Sequence, residues 1–196
     1  VLKVLGLHGS SGHPESIERF VRELRFPLDA SCPKGPFADG AGFTFFRRDA
    51  DFGIPADDLL DLARNSLTPG GLLADYVNDT LLLVGFSSGA IFATALLAVS
   101  PACFAGAILL RPQPIREDFA FPELSLKPIL IISGAHDVRR QPWHAAQLSD
   151  QLSDAHASVT HHVLDAGHGI ASDGSDHSLS SAWLATHFGL AALDEA

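Results

Sequence analysis

The sequence predicts an α/β fold of about six mainly parallel strands, with helices on both faces of the sheet. Two observations carry that prediction. Short runs rich in aliphatic and β-branched residues recur at Val1–Leu7, Thr80–Val84, Gly106–Leu110, Pro128–Ile132 and Val159–Leu164. Most are apolar nearly throughout rather than alternating, the pattern of strands buried on both faces. Between them lie segments with helical spacing, and strand alternating with helix is the order of a doubly wound sheet.

Taken in order, Val1–Leu7 is the first strand and "HGSSG" the loop that leaves it. Pro14 opens a helix, because proline suits a first helical position, and Ile17, Phe20, Val21 and Leu24 follow at i, i+3, i+4 and i+7. Phe26–Asp51 is richer in Pro, Gly and Asp and is expected to be mostly loop, with a short strand near Phe26–Ala30. Thr80–Val84 is a strand and Ala90–Val99 the helix after it. Only Arg111–Lys127 separates the next two strands, which leaves no room for a cap domain. Pro142 opens a helix marked by Leu148, Leu152 and Ala155, and the last helix carries Leu179, Trp183, Leu184 and Phe188. No internal repeat or linker-like tract divides the chain, so residues 1–196 are expected to form one domain.

Composition narrows the function classes. With 46% hydrophobic and 18% charged residues the chain can fill a sizeable core. A net charge of −10 argues against nucleic acid or an anionic membrane as the main partner. No apolar run approaches the roughly 20 residues that span a bilayer, and "VLKVLGLHG" is too short an apolar run for a signal peptide. Cys32 and Cys103 are too few for a disulfide scaffold, so reduced thiols and a cytoplasmic location are expected. The sequence contains no Met, and a modified residue omitted from it would shorten some spacings by one.

One turn carries chemistry. In "LLLVGFSSGAIF" the strand breaks at Gly85-Phe86-Ser87-Ser88-Gly89 and a helix follows. A G-x-S-x-G string alone is weak, and a glycine-rich turn without chemistry also fits it; a P-loop does not, because no Lys follows. Between strand and helix, however, the string can form a nucleophile elbow, in which a serine held at strained backbone angles projects above the C-terminal edge of the sheet. The Ser88 amide then lies at a helix N-terminus, suited to stabilising an oxyanion. The loop "LGLHGSSG" bares amides at another strand end, and Ser10 is the natural second donor, with His8 bracing the loop.

Two later strands supply the partners a serine needs. Strand Pro128–Ile132 runs into "SGAHDVRRQP" and strand Val159–Leu164 into "DAGHGI", so Asp137 and His168 lie just beyond successive strand ends. A hydroxyl requires a base to act near neutral pH, an imidazole is the usual one, and a carboxylate fixes its tautomer. Asp165, Asp173 and His177 are the main rivals for these roles, while His136, His161 and His162 are expected to point elsewhere. A metal site built from His161, His162, His168, Asp173 or His177 lacks any recognised spacing, so neither metal nor cofactor is expected.

"LHGSSG", "GFSSGA", "GAHD" and "AGHGI", in that order, resemble the compact carboxylesterase/phospholipase branch of the α/β-hydrolase superfamily, whose relatives include acyl-protein thioesterases and dienelactone hydrolases. The resemblance spans nearly the whole chain and implies Ser87 as nucleophile, Asp137 as acid and His168 as base, with Ser10 and Ser88 giving the oxyanion amides. It departs at "HDVRRQP", where relatives tend to have a Val-Pro pair, and Ser87 stands where dienelactone hydrolases have Cys.

The implied activity is hydrolysis of a small or medium carboxylic ester through an acyl-enzyme. Alternatives are a thioesterase, a dienelactone-type hydrolase or a ligand-binding, receptor-like member of the fold. Phe43, Phe45, Phe46, Phe119, Phe121 and Trp143 are the candidate walls of an open substrate groove, although each also suits a core. Arg47, Arg48, Arg111 and Arg116 are candidates for meeting an acidic substrate group. The expected partner is a small-molecule ester, without nucleic acid or membrane insertion, and a homodimer is compatible with this reading.

Overall fold

The structure is a computed structural model that describes residues 1–76 and 80–193. Residues 77–79 and 194–196 of the expected domain lie outside the described residues. Six strands form one sheet: β1 (Leu2–Leu7), β2 (Leu28–Ser31), β5 (Leu81–Phe86), β6 (Phe104–Leu110), β7 (Pro128–Gly134) and β8 (Ser158–Leu164). Their order is β2-β1-β5-β6-β7-β8, and every neighbouring pair is parallel.

The period of two along each strand sorts the core into two layers. Val4, Leu82, Val84, Ile108, Leu110, Leu130 and Ile132 face α1 (Pro14–Glu23) and α5 (Ser175–Phe188), which contribute Ile17, Phe20, Val21, Trp183 and Leu184. Leu5, Leu7, Leu81, Leu83, Ala107, Leu109, Ile129 and Ile131 face the other way. They meet α2 (Ala56–Ser66), α3 (Ser88–Val99) and α4 (His144–Asp154). Helix α3 is apolar on all sides and buried along its first ten residues, as a helix enclosed by sheet and neighbours must be.

Two elements go beyond the sequence expectation. Helix α2 packs Leu59 and Ala63 into the core, a 3.6-residue pattern present in "ADDLLDLARNS". Within the expected loop, β3 (Phe37–Asp39) and β4 (Gly42–Thr44) form an antiparallel hairpin whose Phe43 bridges to Gly12. The hairpin is thereby fastened to the loop after β1. The backbone of Gly42 comes so close to this loop that an added Cβ would lie 2.4 Å from the Ser11 carbonyl oxygen. The short strand expected near Phe26–Ala30 falls slightly later, at Leu28–Ser31.

The Arg111–Lys127 connection contains no helix or strand, and it tucks Ile115, Phe119, Phe121 and Leu124 into the core. From β1 the chain moves outward to β2 and then returns to β5, so the order reverses between β1 and β5. That reversal opens a crevice at the carboxyl ends of the two strands, where open α/β sheets bind ligands. Among the described residues, no helix is long and apolar enough to cross a membrane.

Candidate active site

Ser87 stands at the mouth of this crevice, between β5 and α3. Its φ of 54° and ψ of −114° are strained for a residue with a side chain. Close packing maintains the strain. A Cβ at Gly89 would lie 2.1 Å from the Leu7 carbonyl oxygen, and one at Gly85 would lie 2.7 Å from the Ala90 backbone. Both glycines are therefore needed for strand and helix to close on the turn. The Ser87 amide donates to the Leu110 carbonyl at 2.9 Å, which fixes the turn to β6.

A chain of hydrogen bonds starts from the hydroxyl. Ser87 Oγ lies 2.8 Å from His168 Nε2, and His168 Nδ1 lies 2.8 and 2.9 Å from the two Asp137 oxygens. The Asp137 side chain is 3% exposed and that of His168 13%, so the carboxylate sits behind the ring. Burial pulls the His168 imidazole below its ordinary value; the Asp137 hydrogen bond and charge oppose this, while Arg140 and Arg139 add to it. The neutral ring, with Nδ1–H donated to Asp137 and Nε2 accepting from Ser87, satisfies both contacts.

A buried arginine supports the His168 loop. Arg111 stands at φ 52° just after β6, and its side chain is fully enclosed with that of Asp176. Its Nη1 and Nη2 donate to the two Asp176 oxygens at 2.8 and 2.9 Å. Its Nε and Nη2 also donate to the Gly167 and Gly169 carbonyls, on either side of His168. Asp176 in turn accepts from the Ala171 amide at 2.7 Å. The loop is thus held at three backbone points around one ion pair.

The loop after β1 approaches from the other side. His8 is completely buried: Nδ1–H donates to the Gly9 carbonyl, and Nε2 accepts from the Gly35 amide. It acts as a brace, and burial lowers its proton affinity. Gly9 packs against the Ser87 turn, where an added Cβ would meet Ser87 Cβ at 3.4 Å. Among the described residues, the Ser10 and Ser88 amides donate to no protein acceptor.

A cavity of about 770 Å³ opens beside Ser87, with Ser10, Asp39, Phe46, Arg47, Arg48, Arg139, Arg140 and His144 among its lining residues. Burial lowers His144, and the neighbouring Arg140 and Arg48 charges lower it further.

By shape the chain is similar to the carboxylesterase of Bacillus cereus, with a TM-score of 0.84 at 22% identity over 95% of this chain and 89% of that one. A carboxylesterase from Mesorhizobium loti matches at 0.76 and 24%, over 94% and 88%. SOBER1 of Arabidopsis thaliana matches at 0.76 and 18%, over 95% and 99%. The chain has the α/β-hydrolase fold. No family model matches the sequence, and no curated protein matches it.

Within the α/β-hydrolase fold the sequence-derived candidates separate clearly. Ser87, Asp137 and His168 are brought together, and Ser10 lines the same cavity. Of the six aromatic residues expected at the substrate groove, Phe46 lines the cavity and the other five lie elsewhere. Phe45 lies in the core, stacked on Phe92, and Phe119 packs there against Phe121. Phe43 faces His13 and Lys34 on the outside of the hairpin, while Trp143 is 54% exposed beside His144.

The rival groups have other partners. Asp165 pairs with His136, Asp173 accepts from Ser175, His177 packs on Phe20 beside Glu23, and His161 bonds Ser133. No group of three or more His, Cys, Asp or Glu among the described residues is arranged to hold a metal ion.

The arginines differ most from expectation. Arg47 and Arg48 do line the cavity, whereas Arg111 is buried and Arg116 pairs with Asp57 and Asp118 on the surface. Arg139 and Arg140 join the lining, and Arg140 Nη2 donates to Ser87 Oγ at 3.1 Å. The doubled arginine after Asp137 is visible in "HDVRRQP", but its approach to Ser87 joins residues 53 apart in sequence.

Proposed function

We propose that the protein is a serine hydrolase that cleaves a small or medium carboxylic ester through a Ser87-His168-Asp137 triad and an acyl-enzyme. The observation carrying this reading is the continuous hydrogen-bonded path from Ser87 Oγ through His168 to Asp137 at a strained strand-to-helix turn. The likeness to the carboxylesterases of Bacillus cereus and Mesorhizobium loti supports the same class of reaction. Residues 1–196 act as a single domain in this reading.

His168 Nε2 takes the Ser87 proton as Oγ attacks the substrate carbonyl carbon. The resulting oxyanion is received by the Ser10 and Ser88 amides, which have no acceptor among the described residues to give up. Protonated His168, steadied by Asp137, returns the proton to the leaving alcohol. A water then follows the same path and releases the acid.

The hydroxyl-directed test is labelling with a fluorophosphonate probe, followed by identification of the modified residue and a panel of esters and thioesters. Labelling confined to Ser87 together with ester turnover is the expected result. A protein that neither labels nor turns over esters refutes the proposal, and labelling with negligible turnover favours a ligand-binding role.

The pH profile gives an independent check. His168 must be neutral to act as base, and burial lowers its pKa from the usual 6.5. Activity should therefore persist as pH falls through 6.5 and decline only below it. A midpoint of kcat/KM above 6.5 would show that burial does not dominate at this ring, and a rate flat down through the carboxylate range would contradict a histidine base.

A further inference from the structure

The cavity beside Ser87 concentrates positive charge on an acidic molecule. The chain carries a net charge of −10 and only 13 Lys and Arg, yet four of those, Arg47, Arg48, Arg139 and Arg140, line this one cavity. Asp39 is the single carboxylate among the lining residues, and it already accepts from the amide and hydroxyl of Ser11. Asp137, close behind, is committed to His168 and the Arg139 amide.

Two of these guanidinium groups are half-buried, and among the described residues neither forms an ion pair. Arg140 donates to the Arg111 and Arg139 carbonyls and to Ser87 Oγ, using three of its five N–H groups. Arg48 donates to the Phe52 carbonyl and Gln113 Oε1, using two of five. Burial first, and the Arg48 charge second, push the Arg140 guanidinium down to about 10. Burial also lowers Arg48.

Arg48 and Arg140 share this cavity with N–H groups to spare, and the Asp49 and Asp137 charges only partly offset their desolvation, so an anion that joins the two would complete the compensation. The planar forks suit an oxyanion group, either carboxylate or phosphate. Because Arg140 also touches Ser87 Oγ, an anion held there lies beside the hydroxyl, where the same molecule can place a scissile carbonyl.

We infer that Arg48 and Arg140 form an anion subsite, and that the substrate is an ester bearing a second, ionised acid group. The inference rests on the hydrolase reading for its chemistry and adds the substrate class. Neutral lipid-like esters are then poor substrates despite the open cavity.

Monomethyl glutarate and dimethyl glutarate share a carbon skeleton and differ by one ionised carboxylate, so their kcat/KM values in a pH-stat assay isolate the charge. The expected preference for the monoanion is about tenfold or more, the worth of one charge-assisted hydrogen bond. Arg48→Gln and Arg140→Gln should each shrink that ratio, Arg48→Lys should retain part of it, and added salt should weaken it.

A calorimetric arm with the Ser87→Ala protein follows binding of glutarate, inorganic phosphate and neutral glutaramide, and needs no turnover. Saturable binding of an anion but not of glutaramide supports the subsite, and the tighter of glutarate and phosphate names the acid group. Equal kcat/KM values for the two esters would overturn the inference while leaving the hydrolase reading intact. If neither ester is turned over, the hydrolase reading fails, and anion binding by Ser87→Ala then decides the subsite alone. Absence of anion binding there removes it.

Discussion

Replacing Ser87 by alanine is expected to lower kcat for any ester substrate by about 10⁴–10⁶, the loss typical when one member of a cooperating triad is removed. Ser88 begins α3 with its side chain buried, Asp137 orients the His168 ring from Nδ1, and the Phe86 ring is tilted against it at 5.5 Å between centroids, so none of the three offers a second hydroxyl to Nε2. The fold should survive, because the Ser87 amide bond to Leu110 is retained. Alanine at φ 54° is strained much as serine is, so unfolding should change by no more than about 1 kcal/mol. Steady-state kinetics beside a thermal unfolding curve separate the two effects. A variant retaining a tenth of wild-type kcat would show that this hydroxyl is not the nucleophile.

The second large effect concerns stability. Arg111→Met should destabilise the protein by about 3–5 kcal/mol, since removing one partner of a buried ion pair strands the other charge. Asp176 would keep its bond from the Ala171 amide but lose both guanidinium bonds, in a side chain without solvent contact. That loss is a large fraction of the roughly 5–15 kcal/mol that holds a typical domain together.

Activity should fall further than unfolding alone explains, because the Gly167 and Gly169 carbonyls lose the anchor that frames His168. The double variant Arg111→Met/Asp176→Leu should recover part of the stability, since an apolar pair has no charge to strand, but not the activity. Denaturant unfolding of both single variants and the double one measures the coupling. A single variant within 1 kcal/mol of wild type would show that the pair is not structurally important.

Local chemistry was readable from the sequence where a short string dictates a backbone shape. Gly85 and Gly89 announce the turn because only glycine fits against Ala90 and Leu7 there. Asp137 and His168 could be placed because strands of a parallel sheet all end at the same rim, so residues just past their ends become neighbours. Side-chain destinations were less visible. Arg111 could equally have been a solvated cation, since its side-chain partners are carbonyls 21, 56 and 58 residues away and one carboxylate 65 away.

The aromatic residues misled for a related reason. Phe43 lies within β4 and is half-buried between buried Gly42 and Thr44, whereas Phe45 and Phe46 follow the strand's end, where the period of two no longer holds, and both turn into the core. Sequence alone does not fix where the strand ends without the hairpin's pairing partner, and the hairpin itself lay in a segment read as loop.

The parallel arrangement has a consequence for biosynthesis. Ser10, Ser87, Arg111, Asp137 and His168 follow five different strands, β1, β5, β6, β7 and β8, and β8 takes its place at the rim only by pairing with β7. No contiguous fragment much shorter than the stretch from Ser10 to Asp176 contains the whole assembly. A growing chain therefore cannot bring His168 beside Ser87 until β8 has been made and has docked on β7, however early the Ser87 turn itself is synthesised.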